Sequence, residues 1–374
     1  ISSDSWPIYI SLQKDGILFK MRRTQDLPDK ESATMFFQDC KLAHQAQITG
    51  ISHSVKEILP PDLLDLTQLQ KEANIRYGFT ASEVYDIAQS LYEKKLISYP
   101  RTSSRYLTED VLDSLSPIMA RLLSWELFPA AKGTGGIDIS SLSRHVINAE
   151  KANVHHAIII TGIRPGNMSE KEMQVYRLVA GRMLETFMAP CRIETTNVEA
   201  VCAAQHFKAE QTRIIEAGWH DVFMRSDMVP KSGYSVNELP EVEKSDTLNV
   251  CGCNMVHKKQ LPVNPFTDAE LVEYMEQNGL GTVSSRTNII RTLVNRKYIR
   301  YSGKYIVPTP KGMFTYETIR GKKIADTSLT ADWEKQLAGL ESGMITGQDF
   351  LNRIRTLAKE MTDDIFNTYS TKEE

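Results

Sequence analysis

Apolar and polar positions alternate from Ile8 to Met21, with β-branched and aromatic residues among them, the period of half-buried strands. The stretch from Ile193 to Val250 reads the same way, most clearly at Thr195-Thr196-Asn197-Val198-Glu199-Ala200-Val201. Between these β-rich stretches the period becomes helical. Thr80 with Glu83 forms a capping box, and Val84, Ile87, Ala88 and Leu91 follow at helical spacing. Ser169 with Glu172 forms a second box ahead of Val175, Leu178, Val179, Arg182 and Met183. A helical insertion within a β domain is the simplest account of that order.

The last third is helical again. Thr267 and Glu270 cap a helix whose Leu271, Tyr274 and Met275 face one way and which ends at Gly279. A second helix runs from about Ser284 to Asn295, and Tyr298 to Val307 predicts a hairpin turned at Ser302-Gly303-Lys304. Helix, turn, helix and hairpin read as a winged-helix-like unit. Leu329 to Ile365, with Trp333, Leu337, Leu340, Phe350, Ile354 and Leu357, completes a helical domain. The expected fold class is α+β and multidomain: a β-rich first part over 1–58, a helical domain over 59–191, a β-rich second part over 192–262 and a helical, winged-helix-like domain over 263–374.

Composition narrows this picture. The chain has 374 residues, 41% of them hydrophobic, enough for two or three domains with proper cores. No apolar run approaches the ~20 residues that span a bilayer, and the start has neither signal nor transit peptide character, so a soluble cytoplasmic protein without a membrane partner is expected. Five cysteines at irregular spacing fit no disulfide framework, and Cys251-Gly252-Cys253 with His257 matches no common zinc pattern. The net charge of −3 and pI near 6.3 argue against a protein that coats nucleic acid. A DNA enzyme with this balance concentrates its basic residues locally, as at Arg101 with Arg105, or in the run Arg286, Arg291, Arg296, Lys297, Arg300.

The most informative chemistry lies in Leu96-Ile97-Ser98-Tyr99-Pro100-Arg101-Thr102-Ser103-Ser104-Arg105-Tyr106, which follows directly on a helix. A tyrosine hydroxyl beside two guanidinium groups is what phosphodiester transesterification requires: a nucleophile, and fixed cations that stabilise the phenolate and the charge on the transferred phosphoryl group. With an unperturbed pKa of ~10, a phenol without such help is almost wholly protonated at neutral pH. A second candidate is Asn278-Gly279-Leu280-Gly281-Thr282-Val283-Ser284-Ser285-Arg286-Thr287-Asn288-Ile289-Ile290. Glycines and hydroxyls at a helix start make a phosphate site from free N–H groups and the helix dipole, with Ser284, Ser285 and Arg286 holding the backbone. The plainer alternative is that the glycines end one helix and the serines cap the next.

Together with Pro60-Pro61, Leu66-Thr67-Gln68-Leu69-Gln70-Lys71-Glu72-Ala73-Asn74, Gly78-Phe79 and Ala88-Gln89-Ser90-Leu91-Tyr92-Glu93, the Tyr99-Pro100-Arg101-Thr102 string resembles the active-site region of type IA DNA topoisomerases, in particular the bacterial topoisomerase III branch. Val154-His155-His156-Ala157-Ile158-Ile159 resembles the family's His-His-Ala-Ile motif, and Gly279-Leu280-Gly281-Thr282 its Gly-Ile-Gly-Thr loop. The resemblance implies that Tyr99 becomes joined to a DNA 5′-phosphate, that Arg101 stabilises the scissile phosphate and that His155 contacts it. Arg105, His156, Ser284, Ser285, Arg286 and Arg291 are the further residues expected to bind DNA. Two positions depart from the family: Ser103 stands where Asp is usual, and Ile160 where Pro is usual.

The same resemblance implies a toroidal core in which the tyrosine domain is inserted into a β-rich arch, single-stranded DNA as partner, and a place on the bacterial nucleoid. Type IA enzymes hold Mg²⁺ in a Toprim domain through an early glutamate and an Asp-x-Asp pair. This sequence has no Asp-x-Asp. The expectation is therefore a core fragment that lacks Toprim, carries no cofactor of its own, is inactive alone and belongs to a parent enzyme that uses Mg²⁺ with the Toprim domain of the same chain. Protein partners are not identified by the sequence. A winged-helix DNA-binding module without catalysis is the alternative, although a regulator has no use for the Tyr-Pro-Arg string. A tyrosine recombinase places its Arg-His-Arg set ahead of the nucleophile, whereas here the histidines follow it.

Overall fold

The computed structural model describes residues 4–125, 127–128, 146–148, 151–152, 155–223, 231–259 and 264–370. Val154 of the histidine motif lies outside them. The fold is mixed α/β, with six strands closed into a barrel and a separate two-stranded hairpin among the described residues. The chain divides into two compact units. One takes its described residues from Ile1–Pro61, Phe128–Asp138 and Leu184–Asn264, the other from Asp62–Leu127, Ile139–Met183 and Pro265–Glu374.

The first unit is the barrel, in the order β1-β2-β5-β4-β3-β6. Its strands are β1 (Ile8–Lys14), β2 (Ile17–Arg23), β3 (Gln45–Ile58), β4 (Cys191–Cys202), β5 (Gln205–Glu216) and β6 (Thr247–Met255). Alternation does the sorting: Ile8, Ile10 and Leu12 of β1, Phe19 and Met21 of β2, and Val198 and Ala200 of β4 enter one core with Ala46, Ile48, Phe207 and Ala209. Helix α1 (Lys30–Leu42), capped by the Asp29 carboxylate on Ser32 N–H at 2.7 Å, contributes Cys40 to that core. All five cysteines are free thiols. In sequence, β3 and β4 are separated by residues that carry, among those described, the next four helices.

The second unit contains α2 (Leu66–Tyr77), α3 (Ala81–Glu93), α4 (Glu109–Ser124), α5 (Glu170–Thr186, ending in the first unit), α6 (Asp268–Gln277), α7 (Arg286–Asn295), the hairpin of β7 (Ile299–Ser302) and β8 (Tyr305–Pro308), and α8 (Pro310–Ile319), α9 (Thr327–Glu341) and α10 (Gly347–Ser370). The capping boxes at Thr80/Glu83 and Thr267/Glu270 are both formed, and the Ser169–Glu172 pair makes the same reciprocal bonds at 2.8 and 3.2 Å. The α6 face differs from the sequence expectation. Ala269, Val272 and Met275 are buried while Tyr274 is exposed, because Ile290 of α7 and Ile306 of the hairpin pack against that side. Helix α7 also starts later, at Arg286. No described helix is long and apolar enough to cross a membrane.

Candidate active site

Helix α3 delivers the chain to Tyr99. Its last carbonyls are closed by Lys95 N–H on Tyr92 and Leu96 N–H on Leu91, with Lys95 in the left-handed region at φ 60°, so the helix stops and the chain turns out into an extended segment. That segment is held against the histidine motif at both ends. Ser98 N–H donates to Ile159 O at 2.8 Å, the Ser98 hydroxyl donates to Ala157 O at 3.0 Å and accepts from Ile159 N–H at 2.9 Å, and the Thr102 hydroxyl donates to His155 O at 2.8 Å. Tyr99 lies between these anchors. Its ring centre is 4.5 Å from that of His155 and 5.3 Å from that of Tyr92, which meets it edge-on.

Arg101 is held by neutral groups. Its Nη2 donates to Gln89 Oε1 at 3.2 Å, and the guanidinium lies 5.1 Å from the centre of the Tyr85 ring. Its Nε is buried and has no acceptor among the described residues. The structure thus packs Tyr99 against His155, while Arg101, two residues on, rests on the same helix α3 that supplies Tyr92. His155 is exposed and the next residue, His156, is half-buried with Nδ1 2.7 Å from Ala157 O; a carbonyl only accepts, so Nδ1 is the donor in that bond.

The remaining basic residues expected at the site have carboxylate partners. Arg105 donates through Nε to the buried Asp65 at 2.6 Å, the residue that also caps α2 on Gln68 N–H. Arg286 is buried and pairs with Glu276 at 3.0 Å, and Arg291 pairs with Asp86 at 2.8 Å and bonds the Ser82 hydroxyl. Ser82 opens α3 seven residues before Gln89, about 10 Å along the helix axis, so Arg291 belongs to the opposite end of α3 from Tyr99. In the glycine loop, Gly279 and Gly281 have φ of +64° and +68°. A Cβ on Gly281 would meet the Ser285 hydroxyl at 2.9 Å. That hydroxyl accepts from Thr282 N–H at 2.8 Å instead of capping α7, and Ser284 lies 3.2 Å from the Thr282 hydroxyl. Among the described residues no hydrogen bond joins this loop to Tyr99, Arg101 or His155.

Comparison with known proteins decides what this arrangement belongs to. The family described as DNA topoisomerase matches residues 1–352. The chain belongs to the type IA DNA topoisomerases, on the topoisomerase III branch. Among its relatives, DNA topoisomerase 3 of Bacillus licheniformis is 31% identical over 344 residues, covering 86% of this chain and 47% of that protein. DNA topoisomerase 3 of Bacillus subtilis is 30% identical over 355 residues, covering 87% and 48%. The chain thus spans about half the length of these curated relatives. The fold is shared with full-length topoisomerase I from Thermotoga maritima, with a TM-score of 0.73 at 21% identity over 96% of this chain and 59% of that one.

Within this topoisomerase chain, Ser98 and Thr102 anchor the segment of the candidate nucleophile, Tyr85 and Gln89 hold Arg101, and Tyr92 meets the Tyr99 ring, none of them given a role there by the sequence reading. The signal for the last three was present: they lie at i, i+4 and i+7 on α3, on a side other than that of the buried Val84, Ala88 and Leu91. Among the described residues no group of three or more His, Cys, Asp or Glu side chains could hold a metal ion, so these residues do not fit the Mg²⁺ that the family implies.

Proposed function

We propose that this chain is the strand-cleaving core of a topoisomerase III-like enzyme acting on single-stranded DNA, with Tyr99 as nucleophile. The Tyr99 hydroxyl attacks phosphorus and loses its proton; the new P–O bond forms as the bond to the 3′-oxygen breaks, and that oxygen leaves as a hydroxyl. Arg101 offers donors and a full charge to the phosphoryl oxygens, where negative charge grows in the transition state. His155, packed against the Tyr99 ring, contacts the same phosphate. Reversal by the 3′-hydroxyl religates the strand after another strand has passed, with the barrel as the arch that opens. One phosphoester replaces another at each step, so no nucleotide need be consumed, and the sequence has no Gly-x-x-x-x-Gly-Lys-Ser/Thr loop. Arg105, His156, Ser284, Ser285, Arg286 and Arg291 are the proposed contributors to DNA binding.

The observation that carries the reading is the Tyr99 ring held between His155 and Tyr92, with Arg101 fixed on neutral partners two residues on. The test uses the full-length protein and an oligonucleotide that traps the cleaved state. A 5′-phosphotyrosyl adduct mapped by mass spectrometry is expected on Tyr99, and Tyr99→Phe, which removes only the hydroxyl, is expected to abolish it while DNA binding survives. An adduct on Tyr92 or Tyr106, or relaxation of supercoiled plasmid by Tyr99→Phe, would overturn the assignment.

A further inference from the structure

Fixing an arginine for phosphate chemistry carries a conflict. A carboxylate would hold the guanidinium in place, but it would also cancel the charge the phosphate needs. Arg101 is held without one. Gln89 takes one N–H through an amide oxygen, the Tyr85 ring lies 5.1 Å from the guanidinium, and Nε is buried with no acceptor among the described residues. A buried donor without a partner is costly, and a side chain free to turn would carry it to solvent. Something holds it in place. The π-face of a tyrosine attracts a cation through its quadrupole and adds no charge of its own. Gln89 follows Tyr85 by one helical turn, so both contacts come from a single rigid stretch of α3.

We infer that Tyr85 is a positioning residue for Arg101: its ring is the surface against which the guanidinium is set, and Gln89 fixes its direction, so that the donors stand ready for phosphoryl oxygens with the charge intact. The inference rests on the reading of Tyr99 as nucleophile and extends it to a residue that touches neither substrate nor the reacting atoms. The ring face does the work and the hydroxyl does not. Tyr85→Phe should therefore behave as the parent, while Tyr85→Leu keeps bulk and helix propensity but loses the quadrupole.

The first measurement needs no activity. In protein labelled with ¹⁵N-arginine, the Nε–H signal assigned through Arg101→Lys should exchange slowly with solvent in the parent and in Tyr85→Phe, and about tenfold faster in Tyr85→Leu, the scale of one cation–π contact. In the full-length protein, single-turnover adduct formation at saturating oligonucleotide should slow about tenfold in Tyr85→Leu, with unchanged rate in Tyr85→Phe and little change in oligonucleotide affinity. In an Arg101→Ala background, Tyr85→Leu should have no further effect, because the two substitutions remove one interaction. Unchanged Nε–H exchange in Tyr85→Leu overturns the inference, as does a rate loss that persists in the Arg101→Ala background or that Tyr85→Phe shares. An adduct that survives Tyr99→Phe removes the nucleophile assignment instead, and the exchange measurement still decides the role of Tyr85.

Discussion

Arg101 and Arg286 were both candidates for gripping phosphate, and their surroundings differ in kind. Arg101 rests on an amide and an aromatic ring, so its positive charge is not neutralised where it stands. Arg286 is buried against Glu276, whose Oε1 also accepts from the Thr67 hydroxyl, and beside it Thr287 bonds Gln70. Arg101 stands on neutral partners, whereas Arg286 also cross-links α7, α6 and α2. Adjacency in a motif therefore says little about which cation is available; its partners do.

The largest expected effect follows from that difference. Arg101→Ala should reduce cleavage by a factor of roughly 10² to 10³, the loss of one preorganised transition-state donor, while the thermal midpoint stays within a few degrees of the parent. Arg286→Ala should do the reverse. Breaking this half-buried pair leaves Glu276 without its cation and costs about 1–3 kcal/mol, visible as a lower denaturation midpoint, with little loss of cleavage per folded molecule at saturating DNA. A cleavage defect in Arg286→Ala without a stability change would erase the distinction.

A second, smaller effect concerns acid. Glu172 accepts from Lys94, from Ser169 N–H and from Ser90, and these bonds push its pKa down to about 2. Its folded pKa is depressed, so its contribution is complete above the unfolded value of ~4.3 and is lost as pH falls toward 2. The thermal midpoint should drop across that window, and Glu172→Gln should flatten the drop. Because Lys94 and Ser90 end the helix that leads to Tyr99, this loss should come with loosening of the Arg101 side, readable in the same melts through tyrosine fluorescence. The smallest effect is expected from Arg291→Ala. Its pair with Asp86 is exposed, so stability should change by less than about 1 kcal/mol, while any phosphate contact would appear as a salt slope shallower by about 0.9 in the DNA affinity.

Local chemistry was legible in the sequence and long-range chemistry was not. The capping boxes follow from side chains three residues apart, and the hairpin turn from a glycine between two short apolar runs, so each could be read without knowing the rest of the chain. Barrel closure could not be read. It depends on Ile8 meeting Met255 and Ile10 meeting Cys253, and no local pattern encodes a pairing across such a separation. The nearness of Tyr99 and His155 came from family resemblance alone. The side chains that secure it, Ser98 and Thr102, are small hydroxyl residues that carry no periodic signal. The α6 face was misread because Tyr274 and Met275 look equally apolar until α7 and the hairpin choose between them.

The long margin of β3 has a consequence for how the protein keeps to itself in a crowded solution. Strand β6 pairs with β3 only over Gln45 to Gln47, whereas β4 runs beside β3 to Ile58, so the far side of β3 beyond Gly50 has no strand neighbour among the described residues. Such a margin invites edge-to-edge addition of a second chain, the route to aggregation. Here it is guarded. Lys56 and Glu57 are exposed along it, the Trp219 indole donates to Ile58 O at 2.9 Å and closes its end, and Pro60-Pro61 follow with no N–H to offer.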